Sequence, residues 1–303
     1  MSDLTDSRTG RFGFLAQRLF NTPLAIHPAK AEILLAVLAD RLGIATVRTL
    51  DGETHAPAKC LDARSAAGGD MARAIAPVGY DVLAGVAVIP VQGTLVHRLG
   101  TLRPESGMTG YDGIRQNFLT ALADDAVRAI VLDIDSPGGE VSGAFDMADA
   151  IYRARGTKPI WAILSENAYS AAYALASAAN VITVPRTGGT GSIGVVWMHV
   201  DFSKALTGAG LAVTFVTWGA RKLDGYPELP LSPEARERAQ ADIDATGELF
   251  AATVARNRGL AVDSVRAMQA GTFAGAQGVT VGLADAVQAP DEAFASLLEY
   301  LDA

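Results

Sequence analysis

The sequence is short of cysteine, of positive charge and of long apolar runs, and each shortage removes a class of function. Cys60 is the only cysteine among 303 residues, so an intrachain disulfide is impossible and nothing points to an oxidising compartment. A cytoplasmic location is the expectation. Lys and Arg total 25 against 33 Asp and Glu, a formal charge of −8, which leaves no basic footprint for nucleic acid or an anionic membrane. The most apolar stretches, "ILLAVLA" at 33 to 39 and "VLAGVAVIPV" at 82 to 91, fall well short of the roughly 20 residues that cross a bilayer. No membrane anchor is expected. The first twenty residues mix acids, arginines and apolar side chains, without the basic start, apolar middle and small-residue cleavage site of a secretory signal. The four histidines, His27, His55, His97 and His199, show no ligand spacing with Cys60 or with paired acids, so neither a metal nor a cofactor is expected.

Half of the residues are hydrophobic and 19% are charged, enough to bury a large core. Residues 14 to 43 repeat apolar positions at helical steps, interrupted by Pro23 and Pro28. From 50 to 80 glycine, alanine and proline replace that pattern. We divide the chain accordingly into a helical N-terminal segment with a linker, residues 1–80, and a main domain, residues 81–303. In the main domain short β-branched runs alternate with helical ones: "GVAVIPVQGTL", "GIRQNFLTALADD", "AIVLDIDSP", "VSGAFDMADAIYRARG", "PIWAILSE", an alanine-rich helix, "VITVP", "GVVWMHV", "DFSKALTGAG" and "AVTFVTW". This alternation predicts an α/β fold with central strands buried on both faces. Ser232-Pro233-Glu234 should open a long helix reaching Arg258.

Four motifs are candidates for chemistry. "DSPGGE" at 135 to 140 follows a buried strand and precedes a helix, so its amides lie where α/β sites form; it is either an oxyanion site or a tight turn needing Gly138 or Gly139 for its dihedrals. "AYSAAYALA" places Ser170 before a strong helix former, as a cap or as a nucleophile. "GGTGSIG" at 188 to 194 matches a dinucleotide-loop spacing, but a strand pattern follows it rather than a helix, and we discard that reading. Lys222, in the irregular "TWGARKLDGYP", can act as base to a serine if burial and a neighbour such as Arg221 disfavour its ammonium form; His199 is a weaker competitor.

Taken in order, "DSPGG", "AYSAAYALA", "TGSIGV" and a lysine 52 residues after the serine resemble the signal peptide peptidase A (SppA) family of serine peptidases. The resemblance spans roughly 85 to 290 and includes "FAGAQGVTVGLADAV"; "RLFNTPLAIHPAKAEIL" and "AYSAAY" bring it closer to the phage and prophage branch, the minor capsid protein C type of head-maturation protease. It implies a ClpP/crotonase-like fold, a Ser-Lys dyad of Ser170 as nucleophile and Lys222 as general base, and an oxyanion hole from Gly139 and the Ala171 amide, with Gly138 shaping the turn. It further implies a homo-oligomer that completes or encloses the sites, and a scaffold or capsid protein as substrate. Ala171-Ala172 stand where the membrane-bound branch has glycines, which puts substrate approach in question. With the chain ending at Ala303, any scaffolding extension is expected to be separate. The competing functions are a bacterial cytoplasmic signal-peptide or short-peptide peptidase, and a non-catalytic assembly protein or acyl-CoA enzyme on the same scaffold.

Overall fold

The computed structural model describes residues 23–27, 47–48, 54–55 and 78–303. In chain order the strands and helices are β1 (Leu24–Ile26), β2 (Val47–Arg48), β3 (Thr54–His55), β4 (Asp81–Leu83), β5 (Val86–Gln92), β6 (Thr94–Val96), β7 (Met108–Gly110), α1 (Tyr111–Ala123), β8 (Ala129–Ser136) and β9 (Gly138–Glu140). There follow α2 (Ala144–Arg153), β10 (Ile160–Tyr169), α3 (Ala171–Ser177), β11 (Val181–Val184), β12 (Gly189–Gly191), α4 (Ser203–Gly208), α5 (Pro233–Arg258), α6 (Val262–Ala267), β13 (Thr272–Ala274), α7 (Ala276–Thr280), β14 (Ala286–Val287) and α8 (Pro290–Asp302).

The expected α/β class is what these elements build. An eight-stranded sheet runs β13-β12-β10-β8-β5-β4, with β11 beside the first half of β10 and β14 beside β11. β5, β8, β10 and β11 are mutually parallel where they pair, as crossovers through α1 and α2 require. Alternation along β8 sorts its side chains between two layers. Ile130, Leu132 and Ile134 join the large core under α1, α2, α3 and α5, whereas Ala129 and Val131 pack with Trp161, Ile163 and α8 residues Ala293 and Leu297. A smaller four-stranded sheet, β1-β9-β6-β7, lies at the end of β8, and Pro137 is the only residue between β8 and β9.

Three features depart from the sequence pattern. Gly138–Glu140, expected as a turn leading into a helix, is itself a strand. "GVVWMHV" forms no regular strand; Val196 alone makes a bridge, to Leu24. "AVTFVTW" forms no strand and has no strand partner among the described residues, and Val216 and Trp218 are each 96% exposed. The reason is common to both segments: β-propensity describes a fit to a pleated neighbour, and these stretches lack one along their length. Most of the 14–43 helical expectation and of the 50–80 linker lies outside the described residues. Within them, Leu24–Ile26 is a strand between Pro23 and Pro28, where the helical periodicity broke.

α5 forms as anticipated. Ser232 caps it through a bond from Ala235 N to Oγ (3.1 Å), proline occupies the first turn, and Gly259 closes it in a left-handed conformation. α3 is different: all seven of its residues are buried, which is why alanine dominates it. Small side chains let it lie close against β9, β10, α2 and α5. Its C-terminal end is closed by Arg155, which donates to the carbonyls of Ser177 (2.8 Å), Ala178 (2.8 Å), Ala179 (2.7 Å) and Asn257 (3.0 Å). A cation here also complements the negative end of the helix.

Replacing Arg155 by alanine leaves these buried carbonyls without a donor. We expect a loss of about 2–3 kcal/mol, read as a fall of roughly 5–10 °C in thermal midpoint, with only partial recovery in Arg155→Lys because an ammonium cannot span four acceptors in one plane.

Candidate active site

The sheet delivers the site. β10 ends at Tyr169 and α3 begins at Ala171, so one residue must turn the backbone from strand to helix. Ser170 does so at φ 55°, ψ −123°, outside the regions that side-chain-bearing residues ordinarily occupy. Such a conformation costs of order 1–3 kcal/mol and persists only where its surroundings impose it. They do: Ser170 N donates to Gly191 O (2.8 Å), Ser170 O accepts from Ala174 N (3.0 Å), and the residue is almost fully buried.

The choice between cap and nucleophile turns on what the hydroxyl does. Ser170 makes no side-chain capping bond to α3. Its Oγ has only a long contact to Gly194 O, at 3.5 Å. A serine that merely capped would spend its oxygen on the second or third helical amide. The hydroxyl is thus held in a strained, buried junction without a strong partner, at the positive end of a helix.

Gly138 and Gly139 stand opposite. Gly138 has φ +95°, and a Cβ there would press on Ala25 O and lie 2.9 Å from both Ser170 Cβ and Tyr169 O. No larger residue fits between β9 and the serine. Gly139 is closed in the same way by the backbone of Leu95. The turn is pinned from below by Ser136, whose hydroxyl donates to Gly93 O (2.6 Å) and accepts from Gly138 N (3.2 Å). Ala171 supplies the first amide of α3, which has no intrahelical acceptor. Its methyl and that of Ala172 are fully buried within the core.

The structure brings Ser170, Gly138 and Gly139 together, with Ala171 next in the chain, and among the described residues no hydrogen bond joins Lys222 to Ser170. Lys222 lies exposed in a series of turns after the unpaired "AVTFVTW", its amide bonded to Gly219 O (3.1 Å). Arg221 beside it reaches toward Asp224 at 3.7 Å. Asp224 is held below the usual carboxylate range chiefly by the hydrogen bond from Arg238. His199, the competing base, is stacked on Trp197, and neither ring nitrogen has a hydrogen-bond partner among the described residues. Among the described residues no hydrogen bond joins it to Ser170. No group of three or more potential metal ligands occurs among the described residues, and no helix there is long and apolar enough to cross a membrane.

Sequence reasoning missed one element of the site. β1 lies antiparallel on β9, pairing Ala25 with Gly139 and Ile26 with Gly138, and the ring of His27 rests 4.7 Å from that of Tyr169. The available signal was the proline-bracketed "PLAIHP", which marks an extended segment but not its partner.

Known proteins resemble the chain over most of its length. Residues 153–302 match the family model described as Peptidase family S49, and the chain carries a domain of that family. It is 44% identical over 269 residues to "Head-tail preconnector protein GP5" of Enterobacteria phage P21, covering 88% of this chain and 53% of that protein. It is 39% identical over 290 residues to "Capsid assembly protease C" of Escherichia phage lambda, covering 95% of this chain and 66% of that one. A more distant relative, "Serine protease SPPA, chloroplastic" of Arabidopsis thaliana, is 28% identical over 204 residues, 67% of this chain and 30% of that protein. The chain spans about half to two thirds of the length of the two phage relatives.

The strain at Ser170 makes a prediction independent of activity. Glycine accepts a positive φ and alanine does not, so Ser170→Gly should be about 1 kcal/mol more stable than Ser170→Ala in chemical denaturation. Equal midpoints would show that the junction is not strained.

Proposed function

We propose that this protein is a serine endopeptidase of the S49 type that processes phage scaffold or capsid proteins during head assembly, with Ser170 as nucleophile and Lys222 as general base. The observation that carries the reading is the Ser170 hydroxyl itself, buried at a strained strand-to-helix turn, not used as a cap, and facing a two-glycine wall. The names of the two phage relatives supply the biological context, and both are longer proteins, so substrate and setting belong to the proposal.

In this mechanism Ser170 Oγ attacks the scissile carbonyl carbon while the neutral Lys222 amine takes its proton. Charge developing on the carbonyl oxygen is met by the amides of Gly139 and Ala171. The tetrahedral intermediate collapses, the C–N bond breaks, and Lys222 returns the proton to the leaving amine. Water then repeats the sequence on the acyl-enzyme and releases Ser170.

Lys222 reaches a serine, in this reading, when copies of the chain assemble. Two observations support it. Lys222 is exposed in the single chain, and the segment before it presents Leu211, Val213, Val216 and Trp218 to solvent without a strand partner among the described residues. Exposed apolar edges of this kind are covered in stable proteins. Contact with a second copy would also remove the lysine from water, the condition under which an amine serves as a base.

Co-expression with a scaffold or capsid substrate should give cleavage by the parent and none by Ser170→Ala or Lys222→Ala. If the dyad forms between copies, mixing the two inactive variants before assembly restores about a quarter of the parental sites, because half the serines are intact and half of those meet an intact lysine. Zero restoration with a normal oligomer would place both residues in one chain. Cleavage surviving in Lys222→Ala would eliminate the lysine as base.

A further inference from the structure

The groove beside Ser170 is already filled by the chain's own backbone. Leu24–Ile26 is inserted between two edges: it is antiparallel to β9 on one side, and on the other Leu24 N and O exchange 2.9 Å bonds with Val196 O and N. The flanking bonds on the β9 side run from His27 N to Pro137 O (2.7 Å) and from Val141 N to Pro23 O (3.4 Å). In an antiparallel ladder those bonds make Ala25 and Gly139 the pair that exchanges both amide-to-carbonyl bonds. The Ala25 carbonyl is therefore where the Gly139 amide points. It also crowds the same point beside Gly138 from which Ser170 Cβ is 2.9 Å away.

From this geometry we infer that Leu24–His27 is an internal pseudo-substrate, occupying the peptide groove with Ala25 in the acyl position and the Ala25–Ile26 bond where a scissile bond would lie. The inference rests on Ser170 and Gly139 having the roles proposed above. Its central step is mutual exclusion: the Gly139 N–H cannot serve the Ala25 carbonyl and a substrate carbonyl together. The parent chain in this conformation is closed to substrate, and β1 must leave before another peptide enters.

The occupant also describes what the groove accepts. Leu24, Ala25 and Ile26 are each at most 5% exposed, so the groove takes an extended peptide, bonded along both edges of its main chain, with a small residue at the carbonyl that faces Ser170 and aliphatic residues on either side. Ala25 is buried within the main core, so a long charged side chain there would have to displace the strand.

The test uses the full chain and a fluorophosphonate, which an activated serine hydroxyl attacks at phosphorus with release of fluoride. Leu24→Cys with Val196→Cys, in a Cys60→Ser background, joins a directly bonded antiparallel pair whose spacing of about 5.5 Å suits a disulfide. Oxidised, this variant should label at Ser170 at least tenfold more slowly than after reduction, with intact mass as the readout. Ala25→Arg, whose side chain the closed site cannot hold, should label several-fold faster than the parent. Equal rates in the oxidised and reduced forms would overturn the pseudo-substrate, making β1 a permanent wall of the site. A folded Ala25→Arg that labels no faster than the parent would do the same. All rates are read on the assembled oligomer, in which the proposed base is supplied; absence of labelling there in the parent, in Ala25→Arg and in the reduced form together would instead remove Ser170 as the activated nucleophile, and the inference with it.

Discussion

At the end of β10 the backbone passes from a parallel strand into a fully buried helix within one residue, and that constraint organises everything around it. A side-chain-bearing residue held at φ 55° is expensive, so the neighbouring structure must be rigid enough to prevent relaxation. β10 is bonded on both sides along its length, by β8 on one edge and by β11 and then β12 on the other. α3 cannot shift, because alanine lets it lie against its neighbours without gaps and Arg155 ties its last carbonyls to the end of α5. The strain is stored at Ser170 because both elements beside it are fixed.

The same closeness dictates the glycines. β9 approaches the serine so nearly that a methyl group on Gly138 would meet Ser170 Cβ and the Tyr169 carbonyl. Excluding side chains there leaves backbone, and no side chain of β9, beside the serine. That is the arrangement suited to charge on an oxygen, since amides fixed in a sheet need no reorganisation when the charge appears. The alanines after Ser170 are fully buried in the same core that holds Ala25 of β1.

How much of this was legible in the sequence depended on the range of the contacts. The strands of the central sheet, α5 with its Ser232 cap, and the junction at Ser170 follow from local periodicity and short motifs, and these are where expectation and structure coincide. β1 was not legible, because a three-residue strand between Pro23 and Pro28 acquires its partners, Gly138–Glu140 and Val196, from more than a hundred positions away. "AVTFVTW" shows the converse. Its composition favours a strand, yet a strand is completed by a neighbouring backbone, and none is present among the described residues. The position of Lys222 depends on that same segment, so spacing in the sequence could name the lysine without placing it.

These two unreadable elements bear on catalysis from opposite sides. Under the proposed reading the single chain lacks the base, because Lys222 lies exposed at the end of an unpaired edge. Its groove is also filled, because the Ala25 carbonyl holds the Gly139 amide. Neither condition repairs the other: supplying a lysine leaves the groove closed, and opening the groove leaves the serine without a proton acceptor. The segments are nonetheless physically adjacent, since Pro23 at the start of β1 lines the same cleft as Arg221, Asp224 and Gly225 of the lysine loop. A second chain docking along the exposed edge would press on that cleft, so the event that delivers the base would act on the anchored end of the strand that blocks the groove. In that arrangement assembly and release of the pseudo-substrate are coupled through one short stretch of contact, and a solitary chain is inactive for two independent physical reasons.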